Sequence, residues 1–411
     1  MTPTVGDTLT LEVTKVVHGG WGLARHEGFV VFVSGVLPGE RVAADIREVK
    51  KSHAFADVID VHEASPHRVP HIWPEAEWTR PPRQRPGGAD YGHIALEHQR
   101  VLKAEIIRGE LAHHTPDAGH IAAHVIVAGV PGSSDGRHWR TRETLHVGPD
   151  GTAGPRGLKS HEVIAVDSLP LAVSAIEGLG AHRQNWSGHS TLRLVAPSGS
   201  EPRLVIDRQA PQEIVEKVGS RSFRLSDQTF WQVHQSAAET LHDAVGRAIR
   251  LESVRPSATH LDLYGGVGLF AATLADTLGP DQAVVSVESD ERASSYAGVN
   301  LTEFSGARAE QADTLTWLRR HTAQQSQQES PTSGGVVVVD PPRVGAGAEV
   351  VDLVAALRPS QIVYVACDPV ALARDAARLA GRGYELAHLE AFDLFPHTHH
   401  VECVARFEPK G

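Results

Sequence analysis

Four near-continuous apolar runs, His260–Leu263, Ala283–Val287, Val336–Val339 and Ile362–Ala366, each give way to a stretch of helical periodicity. No other feature restricts the fold of this chain as much. A strand with one wet face alternates apolar and polar residues, whereas a strand apolar throughout belongs in a sheet covered on both sides. Strands alternating with helices imply parallel pairing through crossover connections. Residues 219–411 are therefore read as a doubly wound α/β domain, with an exposed loop expected over Gln324–Gly335.

Upstream the pattern changes. Leu9, Leu11 and Val13 alternate with polar residues, His18–Gly22 and Leu37–Glu40 make turns, and Phe29–Val33, Val42–Ile46 and Ala56–Val61 continue a meander. Short strands with Gly/Pro turns predict a small OB-like β-barrel over residues 1–63. Residues 64–218 read as a Pro/Gly/Arg-rich linker (Pro66–Gly92), a helix over 93–114 available to pack on the C-terminal domain, and a mixed α/β central domain. No apolar run reaches the roughly 18 residues of a membrane span, and the opening Met1-Thr2-Pro3-Thr4 lacks a leader pattern. Two cysteines support neither a disulfide framework nor a four-thiolate cluster. A soluble, cytoplasmic, monomeric protein is expected. The net charge of −11 leaves nucleic-acid contact to local groups such as Arg80, Arg83 and Arg85, or Arg137, Arg140 and Arg142. The tract His397–His400 lacks companion ligands at zinc spacing, so no metal site is expected.

The chemistry concentrates at strand ends. The first run ends in Asp262-Leu263-Tyr264-Gly265-Gly266-Val267-Gly268, where glycines let backbone approach a ligand, and the second ends in Glu288, a carboxylate suited to ribose hydroxyls. Alone this fits a nicotinamide dinucleotide or S-adenosylmethionine equally well. The third run ends in Asp340-Pro341-Pro342-Arg343, a rigid acidic loop of a kind that recurs in methyltransferases acting on nitrogen or nucleobases, which favours S-adenosylmethionine. The fourth ends in Cys367, whose only companion thiol is Cys403. Asp368 as N-cap and Pro369 at the first helical position predict a helix start beside it, which should favour thiolate. Glu402, set among apolar residues near the C-terminus, is a candidate base. Thiol, carboxylate and methyl donor suit methylation of uracil C5: thiolate adds to C6, C5 becomes nucleophilic, and a base later removes the C5 proton.

On these residues the chain resembles the uracil-C5 RNA methyltransferases, which make 5-methyluridine in tRNA and 23S rRNA. Phe230-Trp231-Gln232-Val233-His234 is similar to the family's Phe-x-Gln-x-Asn segment, with His234 replacing Asn; Asp340–Arg343, Cys367-Asp368-Pro369, Arg374-Asp375 and His400-Val401-Glu402 follow in order. The resemblance implies a Rossmann-like class I methyltransferase domain preceded by a TRAM barrel. It implies that Gln232, Tyr264, Gly266, Glu288 and Asp340 serve S-adenosylmethionine, and that Cys367 is the nucleophile and Glu402 the base. Arg343, Arg137, Arg140 and Arg142 are then candidate RNA contacts. Many relatives carry an iron–sulfur cluster; here Pro86-Gly87-Gly88-Ala89 stands where its Cys-Gly-Gly-Cys segment would be and Ser168 at the fourth ligand. No cluster is expected, and the central domain should be held by packing alone. A TRAM domain favours 23S rRNA over tRNA as substrate. A nicotinamide-dependent oxidoreductase and a non-catalytic RNA-binding factor are the alternatives.

Overall fold

The computed structural model describes residues 2–115, 119–132, 134–158, 160–324 and 330–410, so residues 325–329 of the expected Gln324–Gly335 loop lie outside it. Strands β1 (Thr8–Val17), β2 (Trp21–His26), β3 (Phe29–Ser34), β4 (Arg41–Val49) and β5 (His53–Glu63) close into a barrel in the order β1-β2-β3-β5-β4. The alternation seen in the sequence turns Leu11, Val13, Val31, Val33, Ala54 and Ala56 inward. Their neighbours Phe32 and Phe55, partners across β3 and β5, therefore sit on the outer wall.

The chain then runs between the barrel, where Leu102 and Ile106 pack with Val16 and Leu37, and the C-terminal domain. Helices α1 (Leu96–His114) and α2 (Gly119–Ala123) are followed by β6 (Val127–Ala128), which pairs in parallel with Tyr384–Phe392 at the edge of the C-terminal sheet. Ala104, Ile107 and Leu111 of α1 enter the core of that sheet. The helix is pinned by a wholly buried ion pair: Lys103 Nζ donates to Asp393 Oδ1 at 2.6 Å and to the Phe395 carbonyl at 3.1 Å.

In the central region β7 (Arg142–Val147), β8 (Ala153–Gly154), β9 (Thr191–Val195) and β10 (Arg203–Ile206) form a small sheet in the order β10-β9-β7-β8, with helix α3 (Ser174–Gly178) between β8 and β9 in the chain, around Trp139, Leu145 and Leu192. Packing is not all that holds it. Arg85, only 4% exposed, donates to the carbonyls of Arg80 (2.8 Å), Trp78 (2.6 Å) and Val58 (3.0 Å), tying the linker to the barrel. Its partner segment is fastened by Gly87 N–H to the Arg156 carbonyl and Leu158 N–H to the Arg85 carbonyl. A hairpin, β11 (Glu213–Val218) and β12 (Arg221–Ser226), leads onward.

The C-terminal domain runs α4 (Ala237–Ala248), β13 (His260–Leu263), α5 (Leu269–Leu278), β14 (Val284–Glu288), α6 (Glu291–Asn300), β15 (Ala307–Gln311), α7 (Thr314–Gln324), β16 (Val336–Val339), α8 (Ala348–Ala356), β17 (Gln361–Ala366), α9 (Pro369–Ala380), β18 (Tyr384–Phe392) and β19 (Glu402–Pro409). The sheet order is β15-β14-β13-β16-β17-β19-β18-β6, with β18 and β19 antiparallel to their neighbours in the pairings β17–β19 and β19–β18. Alternate residues supply two separate cores. Leu261, Val285, Val337 and Ile362 face α1, α7, α8 and α9, while Val284, Val336, Val338 and Val363 face α4 and α5. This is why these strands read as continuous apolar runs. The order reverses between β13 and β16, and a crevice opens beyond their C-terminal ends.

Candidate active site

A cleft of about 790 Å³ lies above those strand ends. It gathers Gln232, Tyr264, Gly266, Glu288, Asp340, Arg343, Cys367 and Glu402, together with Arg140 from the central region. Tyr264 has φ 62°, left-handed backbone rare for an aromatic residue, and Gly266 follows at φ 55°. A Cβ on the intervening Gly265 would lie 2.0 Å from Ser286 Oγ, so only glycine lets the loop fold this tightly over β13. Glu288 Oε2 accepts from Gly266 N–H at 2.9 Å, and its Oε1 accepts from Asp290 N–H at 2.7 Å and Ser289 Oγ at 3.1 Å. A carboxylate has about four acceptor positions, and Glu288, which lines the cleft, uses three of them on these groups. These residues fit a nucleoside-bearing cofactor.

Below the loop Asp262 is fully buried. Its Oδ2 accepts from Ala271 N–H and Ser286 Oγ, its Oδ1 has no partner, and burial pushes its pKa up to about 7. Burial, with Asp262 adding to it, also lifts Asp340 to about 7.

The Asp340–Arg343 loop is buttressed from β17 and α9. Ala346 N–H donates to Asp375 Oδ2 at 2.9 Å and to Tyr364 Oη at 3.0 Å, Tyr364 Oη donates to Asp375 Oδ2 at 2.7 Å, and Arg374 donates to the Val344 carbonyl at 2.6 Å. The Arg374-Asp375 pair singled out in the sequence thus holds this loop from outside the cleft.

Cys367 and Glu402 are brought together by strand register. β17 and β19 pair antiparallel with Ala366 opposite Cys403, and one further step sets Cys367 across from Glu402. The expected helix start is present: Asp368 Oδ1 accepts from Ala371 N–H at 2.9 Å, and Pro369 opens α9. The expected thiolate is not. Burial first, then the Glu402 and Asp340 carboxyls, push the Cys367 thiol up to about 12 against the opposing pull of Arg343. One helix end does not outweigh a desolvated pocket with two carboxyls. Burial and Asp340 likewise hold Glu402 well above the usual carboxylate range.

The basic cluster separates. Arg140 lines the cleft, with Nε 3.1 Å from Glu143. Arg142 instead is 13% exposed and bonded to Glu216 Oε1 at 3.0 Å, so it braces β7 against the hairpin rather than facing RNA. Arg137 is exposed outside the cleft lining. His234, in place of Asn, stacks on Trp139 at 5.5 Å and accepts from Ser236 N–H through Nδ1; burial lowers it to about 4, so it is neutral. His400, quoted above only as part of the His400-Val401-Glu402 segment, lines the cleft, as do Asp90, Trp139 and Phe395, which the sequence did not single out. Their signal lay only in neighbouring motifs, because each arrives through a long-range contact. Among the described residues, no group of three or more His, Cys, Asp or Glu side chains converges as for a metal ion. None of the described helices is long and apolar enough to cross a membrane.

Fold and cleft together define a Rossmann-like class I methyltransferase domain joined to an OB-like barrel. The chain belongs to the uracil-C5 RNA methyltransferase family: residues 191–408 match the family model described as tRNA (uracil-5-)-methyltransferase, and residues 3–59 match the TRAM domain. It is 37% identical to an uncharacterized RNA methyltransferase of Streptomyces avermitilis, over 98% of this chain and 99% of that one. It is 27% identical to the 23S rRNA (uracil(1939)-C(5))-methyltransferase RlmD of Shewanella sediminis, over 97% and 96%. Its fold matches the crystal structure of Pyrococcus abyssi tRNA (uracil-54, C5)-methyltransferase in complex with S-adenosyl-L-homocysteine, with a TM-score of 0.68 and 22% identity, over 97% of this chain and all of that one.

Proposed function

We propose that this protein methylates C5 of a uridine in 23S rRNA, using S-adenosylmethionine and a transient covalent bond between Cys367 and C6. The observation that carries the reading is the facing of Cys367 and Glu402 across β17 and β19 in a cleft that Tyr264, Gly266 and Glu288 also line. Bound there, S-adenosylmethionine supplies an electrophilic methyl group, held by Gln232, Tyr264, Gly266, Glu288 and Asp340. Cys367 sulfur adds to C6 of the pyrimidine, and the π electrons move toward O4, making C5 nucleophilic. Glu402 takes the C5 proton after methylation, the electrons re-form the C5–C6 double bond, and the S–C6 bond breaks. Its raised pKa suits this task, since a carboxylate in an apolar setting is the stronger base. Arg343, exposed on the Pro-Pro loop at the cleft, offers a cation to phosphate or to the developing oxyanion. All these groups come from one chain, so a monomer suffices.

The 23S assignment is supported by likeness to the Shewanella enzyme along nearly the whole chain. The tRNA alternative is kept because the archaeal tRNA enzyme shares the fold over the same extent. Mass-spectrometric mapping of 5-methyluridine in rRNA and tRNA from a strain lacking the gene separates them. The reading predicts loss of 5-methyluridine from 23S rRNA, and loss confined to tRNA would shift it to the alternative.

RNA affinity in so acidic a chain must be local. On the outer barrel wall Trp21 and Phe55 rings lie 4.9 Å apart, Phe32 is 5.6 Å from Phe55, His53 joins them, and Arg47 stands over Trp21 at 5.7 Å. Aromatics interleaved with a cation are a stacking platform for single-stranded bases. Phe55→Ala is expected to weaken binding of a 23S rRNA fragment by roughly 1–3 kcal/mol, about five- to over a hundredfold in Kd. Affinity for S-adenosylhomocysteine should be unchanged, as measured by titration calorimetry.

A further inference from the structure

We propose that the Asp90–His399 pair removes the proton from Cys367, acting from behind the thiol through one water. The proposal rests on the reading of Cys367 as nucleophile and adds the base that reading lacks. Glu402 cannot fill the post, because it is reserved for the C5 proton.

Cys367 lines two spaces. One is the reaction cleft; the other is a rear cavity of about 10 Å³ that it shares with His18, Lys103, His399 and His400. That volume holds about one water, and the polar lining supplies its partners. His399 Nδ1 lies 2.7 Å from Asp90 Oδ2, which also accepts from the His399 N–H at 3.1 Å. An acceptor-only carboxylate fixes the tautomer: Nδ1 carries hydrogen and Nε2 keeps its lone pair. Nε2 has no hydrogen-bond partner among the described residues.

The other histidines fit the task less well. His400, whose ring lies 4.0 Å from that of His399, is pushed down to about 3 by burial, His399 and Arg343, with no carboxylate bonded to its ring. His18 is 42% exposed and turned to Asp368 at 3.2 Å, where it closes the barrel turn over the cavity. Gly20, at φ 76°, is part of that closure: a Cβ there would lie 2.7 Å from Asp90 Oδ2. Lys103 is already neutralised by Asp393. The groups facing His399 are thus Asp90, His18 and His400, and only Asp90 stabilises a positive imidazolium at bonding distance.

The step balances. The S–H bond breaks, its proton passes to the water, and a water proton bonds to His399 Nε2. The imidazolium so formed is offset by the Asp90 carboxylate, and the thiolate is free to add to C6. When elimination returns the thiolate, the same route reprotonates it. His399 is a relay base and Asp90 a positioning residue.

The test uses the full chain without RNA or methyl donor: the rate of Cys367 alkylation by iodoacetamide, followed by mass spectrometry from acid to alkaline pH. The wild-type rate should carry a pH-dependent step that requires His399. His399→Gln should lose that step and react at least roughly tenfold more slowly at neutral pH. Asp90→Asn should keep the step but move it to lower pH, since the ring loses its carboxylate. Cys403, wholly buried, stays unmodified while the fold is intact; should His399→Gln expose it, Asp90→Asn carries the same test. A variant with the wild-type rate and pH profile overturns the relay. A protein that alkylates as expected but leaves no 5-methyluridine missing in the deletion strain would sink the substrate reading and leave the relay standing.

Discussion

Cys367→Ala is expected to abolish 5-methyluridine formation, and Glu402→Gln to stop the reaction one step later with RNA still attached to the protein. Without sulfur there is no addition to C6 and C5 stays a poor nucleophile, so the rate should fall by roughly four orders of magnitude or more. Glutamine keeps the shape of Glu402 but cannot take the C5 proton, so the S–C6 bond has no way to break. A denaturing gel with labelled RNA should show a protein–RNA adduct for Glu402→Gln, absent when Cys367→Ala is added. Free methylated RNA released by Glu402→Gln at the wild-type rate would exclude Glu402 as the base. A pH scan separates this from unfolding. A carboxyl whose folded pKa is raised makes its full contribution to stability below its unfolded value and loses it as pH rises through the folded pKa. Glutamine does not titrate, so the variant should gain Tm relative to wild type toward alkaline pH.

The second large effect is on stability. Lys103→Ala leaves the Asp393 carboxylate buried, with only Arg100 nearby at 3.3 Å, and takes a donor from the Phe395 carbonyl. Removing one member of a buried pair costs about 3–5 kcal/mol, a large share of the roughly 5–15 kcal/mol that holds a domain together. Urea unfolding should show this loss, and Lys103→Met with Asp393→Leu should recover most of it, because the penalty is a buried carboxylate left with Arg100 alone. A Lys103→Ala midpoint equal to wild type would show that α1 does not depend on the pair. Phe395 lines the cleft, so the single variant should also weaken RNA methylation before it unfolds.

Within the C-terminal sheet the legible strands were those buried on both faces. β16 is Val at every position and each is buried, so pattern and environment agree. β15, Ala-Arg-Ala-Glu-Gln, lies at the sheet edge with no residue fully buried and left no apolar run to read. β6 is two residues long and exists only because β18 offers it an edge. The basic stretch Arg137–Arg142 gave charge without partners; Glu216, on a distant hairpin, took Arg142 out of the candidate interface.

Cys367, Glu402 and Asp340 were recognisable because chain-local grammar surrounds them: a strand ending, a cap, a proline-stiffened loop. That grammar dictated which groups stand at strand ends. Packing dictated their state and company. The helix start beside Cys367 formed as read, but desolvation and two carboxyls hold the sulfur as a thiol. Asp90 and His399 meet across 309 residues, where the barrel turn and the C-terminal loop close on each other. Short-range preferences act through dihedrals and neighbouring hydrogen bonds and leave a periodic trace in the chain. Burial and Coulomb interactions act through space, between residues whose separation in sequence carries no such trace.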